Sequence, residues 1–201
     1  MNNDRCYDLL SIDTLDALSL KTFGENPSSD FEQIEKYLHH GDRLLEVGAG
    51  TGRIGIELIK KGFSYTGVEK QTKFLDVFKE KLKSIKLNSK NVKILNISFE
   101  ELSEDNKFDA ILFSWTVIGD FSKKEQIKIL KKTHKILSKK GVCLIDNPSK
   151  NQKYNEVDFY EPTPFYYEDW KNLFDELGFL HKSNIYKTKT GIERELTILS
   201  K

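Results

Sequence analysis

The 201-residue chain has few of the residues that staple or stiffen small proteins: two cysteines, four prolines and one methionine. Two cysteines, Cys6 and Cys143, exclude a disulfide framework, and neither sits in a CxxC or Cys/His ligand spacing. The histidines add nothing metallic. His39 and His40 are adjacent, His134 and His181 stand apart, and no HExxH occurs, so no metal site is expected. No apolar run is long enough for a bilayer, and Met1-Asn2-Asn3-Asp4-Arg5 leads into no signal-peptide core. The expectation is a cytoplasmic protein with no membrane partner. Surplus charge is missing too: 32 basic residues against 31 acidic leave +1. That removes the global argument for a nucleic acid or an anionic membrane as partner. What is present is aromatic content of 11%, too rich for disorder, on a length that suits one domain with a substantial core.

The pattern divides the chain into an N-terminal part and an alternating part. Leu9, Ile12, Leu15 and Leu18 recur at helical spacing, so residues 1–40 read as a helical cap. Pro27-Ser28-Ser29 interrupts it, and Ser29 with Glu32 reads as a capping box ahead of Phe31 and Ile34. From residue 42, strands (Leu44–Val47, Phe63–Glu69, Val92–Asn96, Phe108–Ser114, Val142–Ile145) alternate with helices (Arg53–Lys61, Thr72–Leu87, and 122–140 with Gly141 as its stop). Ser122 and Glu125 form a second capping box. Such alternation means βαβ units and a mainly parallel sheet with helices on both faces. A helix carrying Trp170, Leu173, Phe174 and Leu177 then stops at Gly178. Two strand-like runs, Leu180–Lys187 and Glu193–Leu199, follow and are joined closely enough for a hairpin. The expected fold is α/β: a three-layer sandwich around a seven-stranded, mostly parallel sheet ending in an antiparallel hairpin. Residues 1–201 form one domain on this reading. It comprises the 1–40 cap, a 42–147 core, a 148–168 loop, and the helix and hairpin of 169–201.

The informative segment is Leu44-Leu45-Glu46-Val47-Gly48-Ala49-Gly50-Thr51-Gly52-Arg53-Ile54-Gly55, between the first core strand and the next helix. Open parallel sheets bind ligands beyond the carboxyl ends of their strands, and glycines there let the backbone approach a ligand closely. Gly50 to Gly55 matches GxGxxG, the dinucleotide pattern, but it begins two residues late. Counted from Gly48, the third glycine position holds Arg53. Glu46, just before the loop, disfavours a diphosphate and suits a cationic ligand. An NAD(P)-dependent oxidoreductase is therefore the weaker reading, and a non-catalytic cofactor-binding subunit is a further alternative.

Glu46-Val47-Gly48-Ala49-Gly50-Thr51-Gly52 resembles motif I, (D/E)xGxGxG, of the class I S-adenosylmethionine-dependent methyltransferases. The resemblance runs over roughly residues 42–199. Glu69, about twenty residues beyond the loop, stands where the family carries an acid for the ribose hydroxyls. The resemblance implies S-adenosylmethionine as cofactor, with Gly48, Ala49, Gly50 and Gly52 along its methionine and ribose. It places Glu46 near the ammonium group, Glu69 on the ribose and Lys70 beside the adenine. Ser98 takes the position of the acid that often recognises the adenine amino group, a departure from the pattern, with Phe99 next to it. Ser114 and Trp115 would lie beside the methionine and the transferable methyl.

Methyl transfer from a sulfonium is an in-line displacement, so no enzyme nucleophile or metal is required and alignment carries much of the barrier lowering. A base is needed only where the acceptor must lose a proton, and Asp120 and Asp146 are the nearest candidates. His134 reads as a core or boundary histidine and Cys143 as inert core. Trp115, Ile118, Asn147 and Tyr160 are the candidate acceptor contacts, drawn from the segments after the fourth and fifth strands. The aromatic stretch Asn147–Tyr167, with Tyr154, Phe159, Tyr160 and Phe165, reads as a folded lid. Asn147-Pro148 does not continue as an NPPY motif and does not follow the fourth strand, so amide or exocyclic-amine chemistry is not carried over. The lysines of 122–140 read as a solvated face rather than an RNA track. The leading expectation is a small-molecule methyltransferase, with an RNA- or protein-modifying enzyme of the same fold as the alternative.

Overall fold

The computed structural model describes residues 3–85, 90–152 and 162–201, with side chains from Cys6 onward. Three helices come first, α1 (Asn3–Leu9), α2 (Ile12–Phe23) and α3 (Ser29–Ile34). The alternating part supplies β1 (Arg43–Val47), α4 (Arg53–Lys60), β2 (Ser64–Val68), α5 (Thr72–Ser84), β3 (Val92–Leu95) and β4 (Phe108–Phe113). It continues through α6 (Lys123–Ile136), β5 (Leu137–Pro148), α7 (Tyr167–Leu177), β6 (Leu180–Lys187) and β7 (Glu193–Ser200). The strands make one seven-stranded sheet in the order β3-β2-β1-β4-β5-β7-β6. Pairing is parallel from β3 across to β5. It is antiparallel for β5 with β7 and for β6 with β7. The order in which strands are laid down reverses between β1 and β4, which places a crevice beyond the ends of those two parallel strands.

Apolar periodicity explains the layers. One face of the sheet buries Ile111, Phe113, Cys143 and Ile145 under Ile129, Leu130, Trp170 and Phe174 of α6 and α7. The other buries Leu44, Leu112, Leu144 and Ile198 under Ile34, Ile54, Leu58 and Phe78 of α3, α4 and α5. The α/β sandwich with a closing hairpin is as expected. Ser122 caps α6 in a complete capping box with Glu125, as the spacing predicts.

Two local expectations are corrected. The lysine-rich helix stops at Ile136, not near residue 140, and β5 begins directly at Leu137. Leu137 is extended, 1% exposed, and pairs with Phe108. Burial of its side chain and pairing with β4 outweigh the helix propensity of Lys139 and Lys140. Gly141 is therefore a strand residue: a Cβ there would fall 2.8 Å from Leu137 Cδ1 and 3.0 Å from the Asp109 carbonyl oxygen. The second correction concerns Ser29 and Glu32. The residue before α3 is Ser28, which makes no side-chain capping bond. Ser29 Oγ instead donates to the Phe23 carbonyl at 2.6 Å and accepts from Lys189 N–H at 2.7 Å, tying α2 to the β6–β7 turn.

The N-terminal helices are fastened over the crevice rather than beside it. Lys73 Nζ donates to the carbonyl oxygens of Asp8 and Leu10 at 2.9 and 2.7 Å. Tyr7 donates its hydroxyl to the Asp120 carboxylate at 3.0–3.1 Å. Arg53, the first residue of α4, makes a two-pronged ion pair with Asp30 of α3, both bonds at 2.6 Å. Burial opposes charge on Asp30, yet the guanidinium outweighs it and holds the carboxyl below its usual range. Asp30 itself is fully buried, so this tether is dry at its acidic end.

Candidate active site

The crevice at the strand-order reversal is a cavity of about 610 Å³. Its walls come from Tyr7 of α1, Leu10 after it, Leu15 and Leu18 of α2, the β1–α4 loop, the end of β2, residues 97–100, the end of β4 and Arg194 of β7.

The glycine loop takes its shape from left-handed backbone. Gly48, Gly50 and Gly52 have φ of +67°, +52° and +85°, a region that side chains disfavour. Their surroundings differ. A Cβ on Gly50 would meet nothing nearer than the Gly48 carbonyl oxygen at 3.9 Å, so this turn leaves open space. A Cβ on Gly48 would strike Val117 at 2.7 Å, and one on Gly52 would strike the Phe78 ring at 2.2 Å. Gly52 is thus a packing glycine that seats α4 against α5. It does not lie on the cavity wall, whereas Gly48, Ala49 and Gly50 do.

Two acids meet the cavity beside this loop. Glu46, at the end of β1, is 2% exposed and accepts hydroxyl hydrogen bonds from Tyr65 at 2.5 Å and Ser114 at 3.2 Å. Burial pushes its carboxyl up to about 7, against the pull of Tyr65, Arg53 and Ser114. Glu69, just after β2, accepts from Gly50 N–H at 3.0 Å and Gln71 N–H at 2.7 Å. Burial raises its carboxyl as well, in spite of those bonds. A neutral loop over two desolvated carboxylates forms a receptor for positive charge and hydroxyl hydrogens rather than for phosphates.

Lys70, Ser98, Phe99, Ser114 and Trp115 also reach the wall. Phe99 has a double role, since it packs edge-on against Phe113 in the core at 5.6 Å between ring centres. Trp115 and Thr116 have positive φ, 47° and 69°, in the turn that follows β4. That turn places Trp115 edge-on to Phe23 of α2, with 5.7 Å between ring centres. Asp120 is on the wall and held by Tyr7.

Asp146, Ile118 and Asn147 are not wall residues among those described. Asp146 is 1% exposed and its oxygens are engaged by Arg194 Nε and Nη2, the shortest contact being 2.6 Å, and by the Tyr186 hydroxyl at 2.6 Å. Ile118 is fully buried in the core under α6. Asn147 is 1% exposed, one step along β5 from Asp146, and alternation puts the two on opposite faces of the sheet. Phe165 is core as well, stacked on Trp170 at 5.3 Å. Tyr154, Phe159 and Tyr160 lie outside the described residues.

Sequence reasoning missed Arg53 and Arg194. Both are wall residues, and their guanidinium carbons lie 4.4 and 5.0 Å from the centre of the Phe23 ring. A buried arginine in a strand of alternating polarity gives no local signal. Only the β5–β7 register brings Arg194 opposite Pro148 and within reach of Asp146.

This fold, with an acid-flanked glycine loop at the switch point, defines a class I S-adenosylmethionine-dependent methyltransferase. The chain belongs to that family: a profile described as a methyltransferase domain matches residues 38–191. S-adenosylmethionine is the family's cofactor. Among curated proteins the chain is similar to a putative methyltransferase, YqeM, of Bacillus subtilis, 25% identical over 76% of this chain and 63% of that protein. This chain thus spans under two thirds of that relative's length. Among solved structures it shares its fold with a methyltransferase from Methanosarcina mazei (TM-score 0.67, 20% identity, covering 84% of this chain and 96% of that one). It also shares it with a Burkholderia thailandensis 1,6-didemethyltoxoflavin-N1-methyltransferase solved with that compound and S-adenosylhomocysteine. There the TM-score is 0.70 at 16% identity, covering 85% of this chain and 76% of that one. Among the described residues, no helix is long and apolar enough to cross a membrane.

Proposed function

We propose that this chain methylates a small-molecule acceptor, with S-adenosylmethionine held between the β1–α4 loop and Glu69. The observation that carries the proposal is the roofed cavity. Leu10, between α1 and α2, and Leu15 and Leu18 of α2 line it from the N-terminal segment. An apolar roof over a cavity of about 610 Å³ suits a compact organic acceptor better than a polymer strand. The deeply buried Glu46 and Glu69 support the cofactor assignment, because a cationic ammonium and two ribose hydroxyls satisfy carboxylates that are otherwise costly to bury.

In this reading Gly48, Ala49 and Gly50 give the backbone surface for the methionine and ribose, and Glu46 faces the ammonium group. Glu69 takes the ribose hydroxyls, while Lys70, Ser98 and Phe99 border the adenine. Ser114 and Trp115 border the reacting end. The bound cofactor supplies a methyl group already activated by its sulfonium charge. The chain's own work is to orient the acceptor and exclude water, for which the Trp115 and Phe23 pair and the α2 roof provide the surface. Asp120, held by Tyr7, is the wall acid that would accept a proton where the acceptor must lose one. Asp146, occupied by Arg194 and Tyr186, instead orients Arg194.

The test has two stages. Thermal shifts with S-adenosylmethionine, S-adenosylhomocysteine and NAD(P) come first. A ligand at a hundred times its dissociation constant adds about 2.7 kcal/mol, so the first two should raise the melting temperature and NAD(P) should not. Labelled-methyl transfer into an extract is then split by ultrafiltration. Label in the low-mass filtrate is expected. Label confined to RNA or protein would transfer the enzyme to the macromolecule-modifying alternative.

A further inference from the structure

The Arg194 guanidinium is 2% exposed, yet its hydrogen bonding is incomplete. Nε and Nη2 are spent on Asp146, and Nη2 also donates to Thr116 Oγ1 at 3.2 Å. Nη1 has no hydrogen-bond partner among the described residues. It is also absent from the sealed, unpartnered atoms, which are Gln126 Oε1, Thr133 Oγ1 and the Asn147 amide. Nη1 is therefore not sealed, and the residue belongs to the cavity wall. Thr116 also belongs to the cavity wall. Its oxygen accepts from Arg194, which leaves its O–H to donate, and no acceptor for it occurs among the described residues.

The acids that could answer these donors are already used. Asp146 accepts from Arg194 and from Tyr186, and Asp30 accepts from Arg53. Among the described residues this corner of the wall thus offers two amino hydrogens and a hydroxyl hydrogen, and both nearby carboxylates, Asp146 and Asp30, are already engaged. Trp115, Pro148 and Ile192, which line the cavity with it, are apolar in their bulk, and Gln152 adds an amide.

Resting on the methyltransferase reading of this site, we propose that the acceptor carries a carboxylate, bound by Arg194 Nη1 and the Thr116 hydroxyl, on an apolar body seated against Trp115. A carboxylate brings two accepting oxygens and no hydrogen, which matches the Arg194 and Thr116 donors. A primary amide would set its own N–H groups against them. Charge-assisted bonds of this kind are the strong class, and leaving them unmade in a closed site is unfavourable.

Benzoate, benzamide and phenyl phosphate serve as probes, titrated by ligand-observed NMR at pH 7.5 into the full chain saturated with S-adenosylhomocysteine. The expected result is benzoate binding at least tenfold more tightly than benzamide and more tightly than phenyl phosphate. Equal binding of benzoate and benzamide, or preference for the phosphate, overturns the proposal while leaving the methyltransferase reading intact. Failure of S-adenosylhomocysteine itself to bind overturns that reading instead, so the two failures are distinct. Arg194→Lys, which keeps a cation for Asp146 but loses the second amino group, should remove most of the benzoate preference. Should that variant fail to fold, the probe comparison on the unaltered chain still decides.

Discussion

Tyr65 donates its hydroxyl to Glu46 Oε2 at 2.5 Å, so the carboxylate near the end of β1 is held from the start of β2, its parallel neighbour. Both groups are buried, and burial drives both titrations upward, Tyr65 well above its ordinary range and Glu46 to about 7. The folded protein therefore binds the Glu46 proton more tightly than the unfolded chain, whose carboxyl titrates near 4.5. Its contribution to stability is fully present below pH 4.5 and is lost as the pH rises through about 7. Stability without ligand should fall over that window by up to about 3 kcal/mol. Urea melts of Glu46→Gln should show a flatter pH dependence there than the unaltered chain.

On the proposed placement of the cofactor, the same titration couples to its binding. An ammonium group beside Glu46 favours its charged form, so binding near pH 6.5 should release protons. Calorimetry of S-adenosylhomocysteine binding in two buffers of different ionisation enthalpy reads this directly. Identical enthalpies in both buffers would detach Glu46 from the ammonium.

Glu69→Ala should weaken cofactor binding by about 10- to 100-fold, the scale of lost hydrogen bonds to a charged group. The melting temperature should move by only a few degrees, since Gly50 and Gln71 N–H lie where water or ligand replaces the carboxylate. Unchanged affinity by titration would remove the ribose assignment.

Gly52→Ala tests packing rather than binding. Its φ of +85° and the Phe78 ring at 2.2 Å from a Cβ predict a loss of about 2–4 kcal/mol in chemical denaturation. Gly50→Ala, in open space at φ +52°, should cost less stability and more cofactor affinity.

Asp30→Asn leaves the Arg53 guanidinium without its counter-ion. A broken buried pair costs about 3–5 kcal/mol. Limited proteolysis should then cut earlier within residues 6–30 than it does in the unaltered chain.

Much of this was legible in the chain. The order of strands and helices follows from apolar periodicity, and the loop follows from glycines spaced two apart behind Glu46. Where prediction slipped, a tertiary contact had outweighed a local preference. Lys139 and Lys140 look helical, yet Leu137 beside them is captured by β4. Ser29 with Glu32 reads as a cap, yet the Ser29 hydroxyl serves Phe23 and Lys189. Gly52 shares a spacing with Gly48 and Gly50, and the Phe78 ring against its α-carbon, which the sequence does not show, sets it apart. Asp146 looked available because a sequence shows a strand-end acid but not the arginine that arrives from a strand 48 residues later.

Arg53 closes the glycine loop on one side and grips Asp30 on the other. Trimming the amino-terminal helices to simplify the protein would do more than open the cavity. It would strand a cation at the first turn of the helix that the glycine loop feeds, so a shortened version would be compromised at that loop and not merely unroofed.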